Sequence, residues 1–262
     1  MSVTGTWTNS YGSVMELQQL VGGMVTGTYQ SSTGSTGKYF VVGMANMNDP
    51  TPQLGQSVAL AIYWRSYEGG PSDPSWHWVS GLSGQLDVSG AQPTIYLMHA
   101  MVATCDFPGL ADAGTYVDKL VYTPKGALQE PAPKLEIASP EAAADPISGI
   151  WVCRENPGLA LGLALNNPSV GYVTGNWYTP TGQYPVLAFT DVDAQSAGLP
   201  RQGLSVTVGL GTAGTCQSMA GSLEFSTGVL TLTVFDSRGT AGDAIYVQTK
   251  ASQLTFSRNA ER

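Results

Sequence analysis

The sequence predicts an all-β protein, and three observations carry that reading. Gly is abundant, at 32 of 262 residues, while only 11% of the residues are charged. Thr and Ser recur in short segments punctuated by Gly and Pro, the pattern of short strands joined by tight turns. Helical apolar spacing is nearly absent. With 42% hydrophobic residues, the chain has enough apolar material for real cores and room for one large or two ordinary domains.

The formal net charge of −8 argues against a nucleic-acid partner, whose phosphates call for a basic surface. It reads as a solvated acidic surface. The opening Met1–Gly5 runs straight into the first strand without a basic or an apolar leader region, and no apolar run approaches the ~18 residues of a membrane span. Cys105, Cys153 and Cys216 are an odd number without framework spacing, so reduced thiols and a cytoplasmic location are expected. With no ligand cluster and no cofactor fingerprint in the sequence, no metal and no cofactor is expected.

Taken in chain order, Gly5–Leu17 and Thr26–Ser31 are strand-like pieces that place Asn9, Ser13, Tyr29 and Ser31 where a β-barrel would point them inward. Barrel interiors are normally apolar, and each unpaired buried polar group costs roughly 1 to 3 kcal/mol. Such a cluster implies something bound between its members. In Leu60–Arg65, period-two alternation puts Leu60, Ile62 and Trp64 on one face; in Thr94–Val102 it puts Ile95, Leu97, His99 and Met101 on the inner face. From Pro124 to Pro146 the composition shifts to Pro, Ala and charge, which reads as a semi-extended linker.

Beyond the linker the first half begins again. Gly149–Cys153 echoes Gly5–Asn9, and Thr174–Thr179 echoes Thr26–Ser31. Ser218–Gly221 can be laid on Trp78–Gly81, and Ile245–Val247 on Thr115–Val117. The order is kept, so a tandem duplication of two domains of about 120 residues each is expected, at residues 3–123 and 148–258 with the linker at 124–147. In the second copy Cys153 stands for Asn9, Trp177 for Tyr29, Asn156-Pro157 for Gly12-Ser13 and Thr179 for Ser31. Proline lacks the hydroxyl of Ser13, so the second copy is expected to be a structural partner.

The paired segments GTWxNxxGS and TGTYxS resemble those of the avidin and streptavidin family, most closely its fungal, tamavidin-like members, from Val3 to near Gly126. The resemblance implies a fold of two tandem antiparallel up-and-down β-barrels of the avidin and lipocalin kind. It implies a small-molecule partner, biotin or a related ring compound. By the same resemblance, Asn9, Ser13 and Tyr29 donate to the ureido carbonyl, Ser31 accepts from a ring N–H, Trp64 walls the ligand and Trp7 closes the barrel. Ser75–Gly81 lies on the family's S-x-T-x-W-S-G strand, so Ser75 and His77 take the places of two carboxylate-tail contacts and Ser35 that of a third. Val79 then stands where an aromatic is usual, and Trp78 could serve instead if the strand slips by one residue.

Other positions depart from the family. His99 falls on a ligand-stacking tryptophan and Met101 on a leucine, giving a roomier and more polar cavity. Matched by Leu120-Val121, Pro124 falls on the aspartate that bonds the second ureido N–H, a charge-assisted bond worth about 1.5 to 3 kcal/mol, and Asp118, six residues upstream, would need a shifted register to substitute. Two function classes follow. One is a binding protein for biotin or another carbonyl-bearing ring. The other is a cofactor-free enzyme, a cyclase or isomerase, in which the same cluster polarises a substrate carbonyl and His99 or His77 serves as acid or base. The second draws on the chain having just two histidines, both sent to the cavity by the resemblance; it lacks a nucleophile paired with a base. Binding is the favoured class. The barrel pair would be intrachain, with a further homodimer left open.

Overall fold

The computed structural model describes residues 2–31, 35–69, 72–109, 111–128, 131, 135, 145–211, 214–241 and 246–259. Most of the stretch read as a linker and Ile245 of the last echo lie outside the described residues. The first eight strands are β1 (Gly5–Asn9), β2 (Val14–Gln19), β3 (Met24–Ser31), β4 (Gly37–Ala45), β5 (Gln56–Tyr63), β6 (Trp78–Asp87), β7 (Thr94–Ala103) and β8 (Gly114–Gly126). Each pairs with the next in antiparallel register, and β8 returns to β1, closing a barrel. The second eight are β9 (Gly149–Cys153), β10 (Ala160–Asn167), β11 (Tyr172–Thr179), β12 (Gly182–Thr190), β13 (Arg201–Gly209), β14 (Thr215–Glu224), β15 (Val229–Arg238) and β16 (Thr249–Arg258). They close a second barrel in the same way. β8 runs to Gly126, three residues into the stretch read as linker.

The echoed segments have the same structural jobs in both barrels. Gly5 and Gly149 open their strands at φ +149° and +139°, a region that glycine enters freely and other residues avoid. Two residues on, the Trp7 indole N–H donates to the Val3 carbonyl at 2.9 Å, and the Trp151 indole to the Ile147 carbonyl at 2.8 Å. Val3 and Ile147 are fully buried, so each barrel is stoppered by an aliphatic side chain tied to its tryptophan. Gly27 and Gly175 sit where a Cβ would stand 2.0 Å and 1.8 Å from a carbonyl oxygen of the neighbouring strand. No side chain fits there.

Two of the echoes do not hold in space. In β6, Trp78 and Leu82 join the first barrel's core while Val79 faces outward; in β14, Met219 joins the second core and Ala220 faces outward. Laying Met219 on Val79 therefore matches an inner residue with an outer one. A one-residue slip inverts every side chain of a strand. Tyr246 and Val247 lie before β16 begins, whereas Thr115–Val117 lie within β8.

The outer faces of β4–β7 pack against those of β11–β15, with Val42, Ala59, Ala61, Tyr63 and Val79 meeting Tyr172, Leu187, Phe189, Ala220 and Phe235 in a third apolar core. Small residues bring the sheets close: a Cβ on Gly81 would lie 3.0 Å from that of Ala220. Hydroxyls tie the backbones across the seam, Ser205 Oγ to the Ser80 carbonyl and Ser57 Oγ to the Gly214 carbonyl, each at 2.8 Å. At one edge the fully buried Asp191 of the second barrel accepts from the Tyr63 hydroxyl at 3.2 Å and holds His77 Nδ1 at 2.8 Å. Arg65 pairs with Asp193 beside it.

Asp191→Ala should strip the buried Tyr63 hydroxyl and the half-buried His77 of their acceptor and destabilise the protein by about 3 kcal/mol, read as a lower urea midpoint; an unchanged midpoint would deny the seam this role. The hydrogen bond to Asp191 raises the His77 pKa above the usual 6.5, so the folded state holds this proton more tightly than the unfolded chain does. That stabilisation is complete below 6.5 and is lost as pH rises through the folded-state pKa. His77→Gln should flatten this part of the stability–pH curve.

Candidate functional site

One mouth of the first barrel opens into a cavity of about 510 Å³. Its lining comes from the ends of strands that meet there: Asn9 from β1, Ser13 ahead of β2, Tyr29 and Ser31 from β3, Ser35 ahead of β4, and Trp64 after β5. Trp78 from β6, His99 and Met101 from β7, and Asp118 and Leu120 from β8 complete the wall, with Tyr11 and Ala111 at the rim. Odd-numbered strands end at this mouth and even-numbered ones begin there, which gathers polar residues from distant parts of the chain into one ring.

At the inner end, Asn9 is oriented by its turn. Its Oδ1 accepts from the backbone N–H of Tyr11 and of Ser13, each at 3.1 Å. The carbonyl half of the amide is thereby occupied, leaving Nδ2 as the donor on the barrel side. That amide bonds the Tyr122 hydroxyl, which lies 3.2 Å from the Tyr29 hydroxyl. Burial, the largest cause, raises the Tyr122 pKa well above 10 and keeps the phenol neutral. Ser13 is 3% exposed, and its hydroxyl makes no hydrogen bond among the described residues.

The aromatic wall is fixed by edge contacts. Trp64 lies T-shaped to Tyr29 and Tyr39, with centroids 5.4 Å and 5.0 Å apart. Its indole N–H donates to Ser80 Oγ at 2.8 Å, and the same oxygen is 2.8 Å from His99 Nε2. Burial pushes the His99 pKa down to about 4, the Asp118 carboxylate only partly countering it. The imidazole is therefore neutral near pH 7.

The structure thus brings together Asn9, Ser13, Tyr29, Ser31, Ser35, Trp64, His99 and Met101. It does not bring Ser75 or His77 to the lining. Ser75 is buried behind Ser35, their hydroxyls 2.8 Å apart, and His77 turns to Asp191 across the seam. Of the two readings of this strand, the structure takes the slipped one: Trp78 faces the cavity and Val79 the second barrel. Pro124 is exposed and pairs with Trp7, away from the cavity, whereas the β8 residue opposite Asn9 is the fully buried Tyr122. Matching by Leu120-Val121 misses Tyr122. Its signal is the alternation of Leu120 and Tyr122 with exposed Val121.

In the second barrel the corresponding places are apolar. Cys153 pairs with Phe256 as Asn9 pairs with Tyr122, and Trp177 is the sixth residue of its strand as Tyr29 is of β3. Trp177 and Phe256 meet edge to face with centroids 6.2 Å apart. An indole, a phenyl and a thiol occupy the region where the first barrel keeps an amide and two phenols.

The first eight strands thus form a closed antiparallel barrel with a cavity at one mouth. Residues 1–107, which take in β1 to β7 of the first barrel, match the model of the avidin family. The matched segment ends between β7 and β8. No curated protein matches the chain.

The two histidines should titrate far apart. Proton NMR of the imidazoles should give one midpoint near 4 that disappears in His99→Gln, and another above 6.5 that disappears in His77→Gln. Two midpoints close to 6.5 would contradict the buried wall and the Asp191 contact together.

Proposed function

We propose that the first barrel binds a small molecule through a carbonyl-bearing ring, biotin or a related compound, and that the second barrel is its structural partner. The observation that carries this reading is the Ser13 hydroxyl, unpaired among the described residues, beside the Asn9–Tyr122–Tyr29 chain at the inner end of a ligand-sized cavity. Asn9 Nδ2 donates to Tyr122, Tyr122 can pass its proton to Tyr29, and the Tyr29 hydroxyl is then free to donate to a ligand oxygen. Ser13 offers a second donor. Two preorganised donors spare the ligand oxygen the ordering cost that mobile water would carry.

The pattern differs from a biotin site in one respect that matters for affinity. A phenol, Tyr122, stands opposite Asn9, and the carboxylate of the lining, Asp118, is exposed and accepts from the Tyr11 hydroxyl at 3.4 Å. His99 offers less stacking area than an indole. The placement of His77 outside the cavity and the low pKa of His99 favour binding over acid–base chemistry, since a base of pKa about 4 has little driving force at neutral pH.

Tyr29→Phe should weaken binding by about 1 kcal/mol or more, because the ligand oxygen loses its donor. Trp177→Phe should leave binding unaltered. Calorimetry with biotin and with the compound that co-purifies, identified by native mass spectrometry, measures both. If the second substitution were the damaging one, the binding half would be misassigned. A ligand that binds the folded state must also raise the melting temperature.

A further inference from the structure

The outer end of the cavity carries a chain of hydroxyls whose direction can be worked out. Asp73 Oδ1 accepts from the Ser75 backbone N–H at 2.8 Å and from Ser75 Oγ at 2.5 Å. An ionised carboxylate accepts and cannot donate, so the single hydroxyl proton of Ser75 is committed to Asp73. The Ser35 hydroxyl, 2.8 Å from Ser75 Oγ, must then be the donor in that contact. Tyr39, fully buried and bonded to Ser35 Oγ, must in turn donate to Ser35. Burial raises the Tyr39 pKa, so its proton is present. Every proton points outward, from Tyr39 through Ser35 and Ser75 to Asp73.

Ser35 is the member of this chain that lines the cavity. With its proton spent on Ser75, it presents a lone pair to a ligand. The charged residue in the lining is another carboxylate, Asp118, and no Lys or Arg lines the cavity among the described residues. A ligand carboxylate at this end would face the Ser35 acceptor with the Asp73 carboxylate one hydroxyl behind it, and among the described residues no cation in the lining to receive it. Resting on the binding reading above, we infer that the outer end selects a ligand whose tail is a hydrogen-bond donor, such as an amide, a hydroxyl or an amine, and rejects a free carboxylate. Asp73, though not itself in the lining, sets this polarity by holding the Ser75 proton.

Three probes that share one ring and differ in the tail test this: biotin, its primary amide and its alcohol, titrated calorimetrically into the full chain at pH 7.5. The amide and the alcohol should bind at least about tenfold more tightly than biotin, the scale of a lost hydrogen bond with an unpaired charge. Asp73→Asn keeps a carbonyl oxygen for the Ser75 N–H and removes the charge, so the gap should shrink with an unchanged melting temperature. Ser35→Ala should lower the amide and alcohol towards biotin. Tighter binding of biotin than of its amide would overturn the inference and leave the binding reading intact. If none of the three probes gives heat or a thermal shift, both the ring-binding reading and the tail inference built on it are overturned.

Discussion

The period-two alternation of β6 is the constraint on which both the cavity and the seam depend. Trp78, Ser80 and Leu82 point into the first barrel, while Val79, Gly81 and Ser83 point at the second. The Ser80 side chain orients Trp64 and His99, and the Ser80 carbonyl receives Ser205 from across the seam. The wall of the cavity and the contact with the second barrel are therefore two faces of one strand. A shift of one residue would put apolar Val79 in the cavity and indole in the seam, and neither would pack.

The two barrels share a construction and differ in their fillings. Both use a glycine with positive φ, a tryptophan bonded to the carbonyl four residues earlier, and a buried aliphatic stopper. These features belong to closing a barrel and are kept in both halves. At the inner end of the first barrel's cavity stand Asn9, Tyr29 and Tyr122, where the second barrel has Cys153, Trp177 and Phe256.

The histidines show how tertiary surroundings assign opposite states to one side chain. His99 lies in a desolvated wall, where burial disfavours the charged form; His77 lies against Asp191, where a carboxylate favours it. The neutral imidazole can shape a pocket for an uncharged ligand. The other helps hold two domains together. Neither state follows from the residue type, because desolvation and a charge partner shift a pKa in opposite directions.

By itself the sequence determined the all-β class, the repeat of the barrel-closing GxW segments and the inward direction of Asn9, Ser13, Tyr29 and Ser31, because these are written in local alternation and short motifs. Local pattern could not say how distant strands register. Tyr122 rather than Pro124 stands opposite Asn9, and Trp78 rather than Val79 faces the cavity. Both depend on a register in which one residue inverts the side chain, and that register is settled by long-range pairing. His77 was read into the cavity from its strand, yet its partner Asp191 lies 114 residues further along the chain. The direction of the Tyr39–Ser35–Ser75–Asp73 chain was equally out of reach, since a hydroxyl becomes donor or acceptor only when its neighbours are in place.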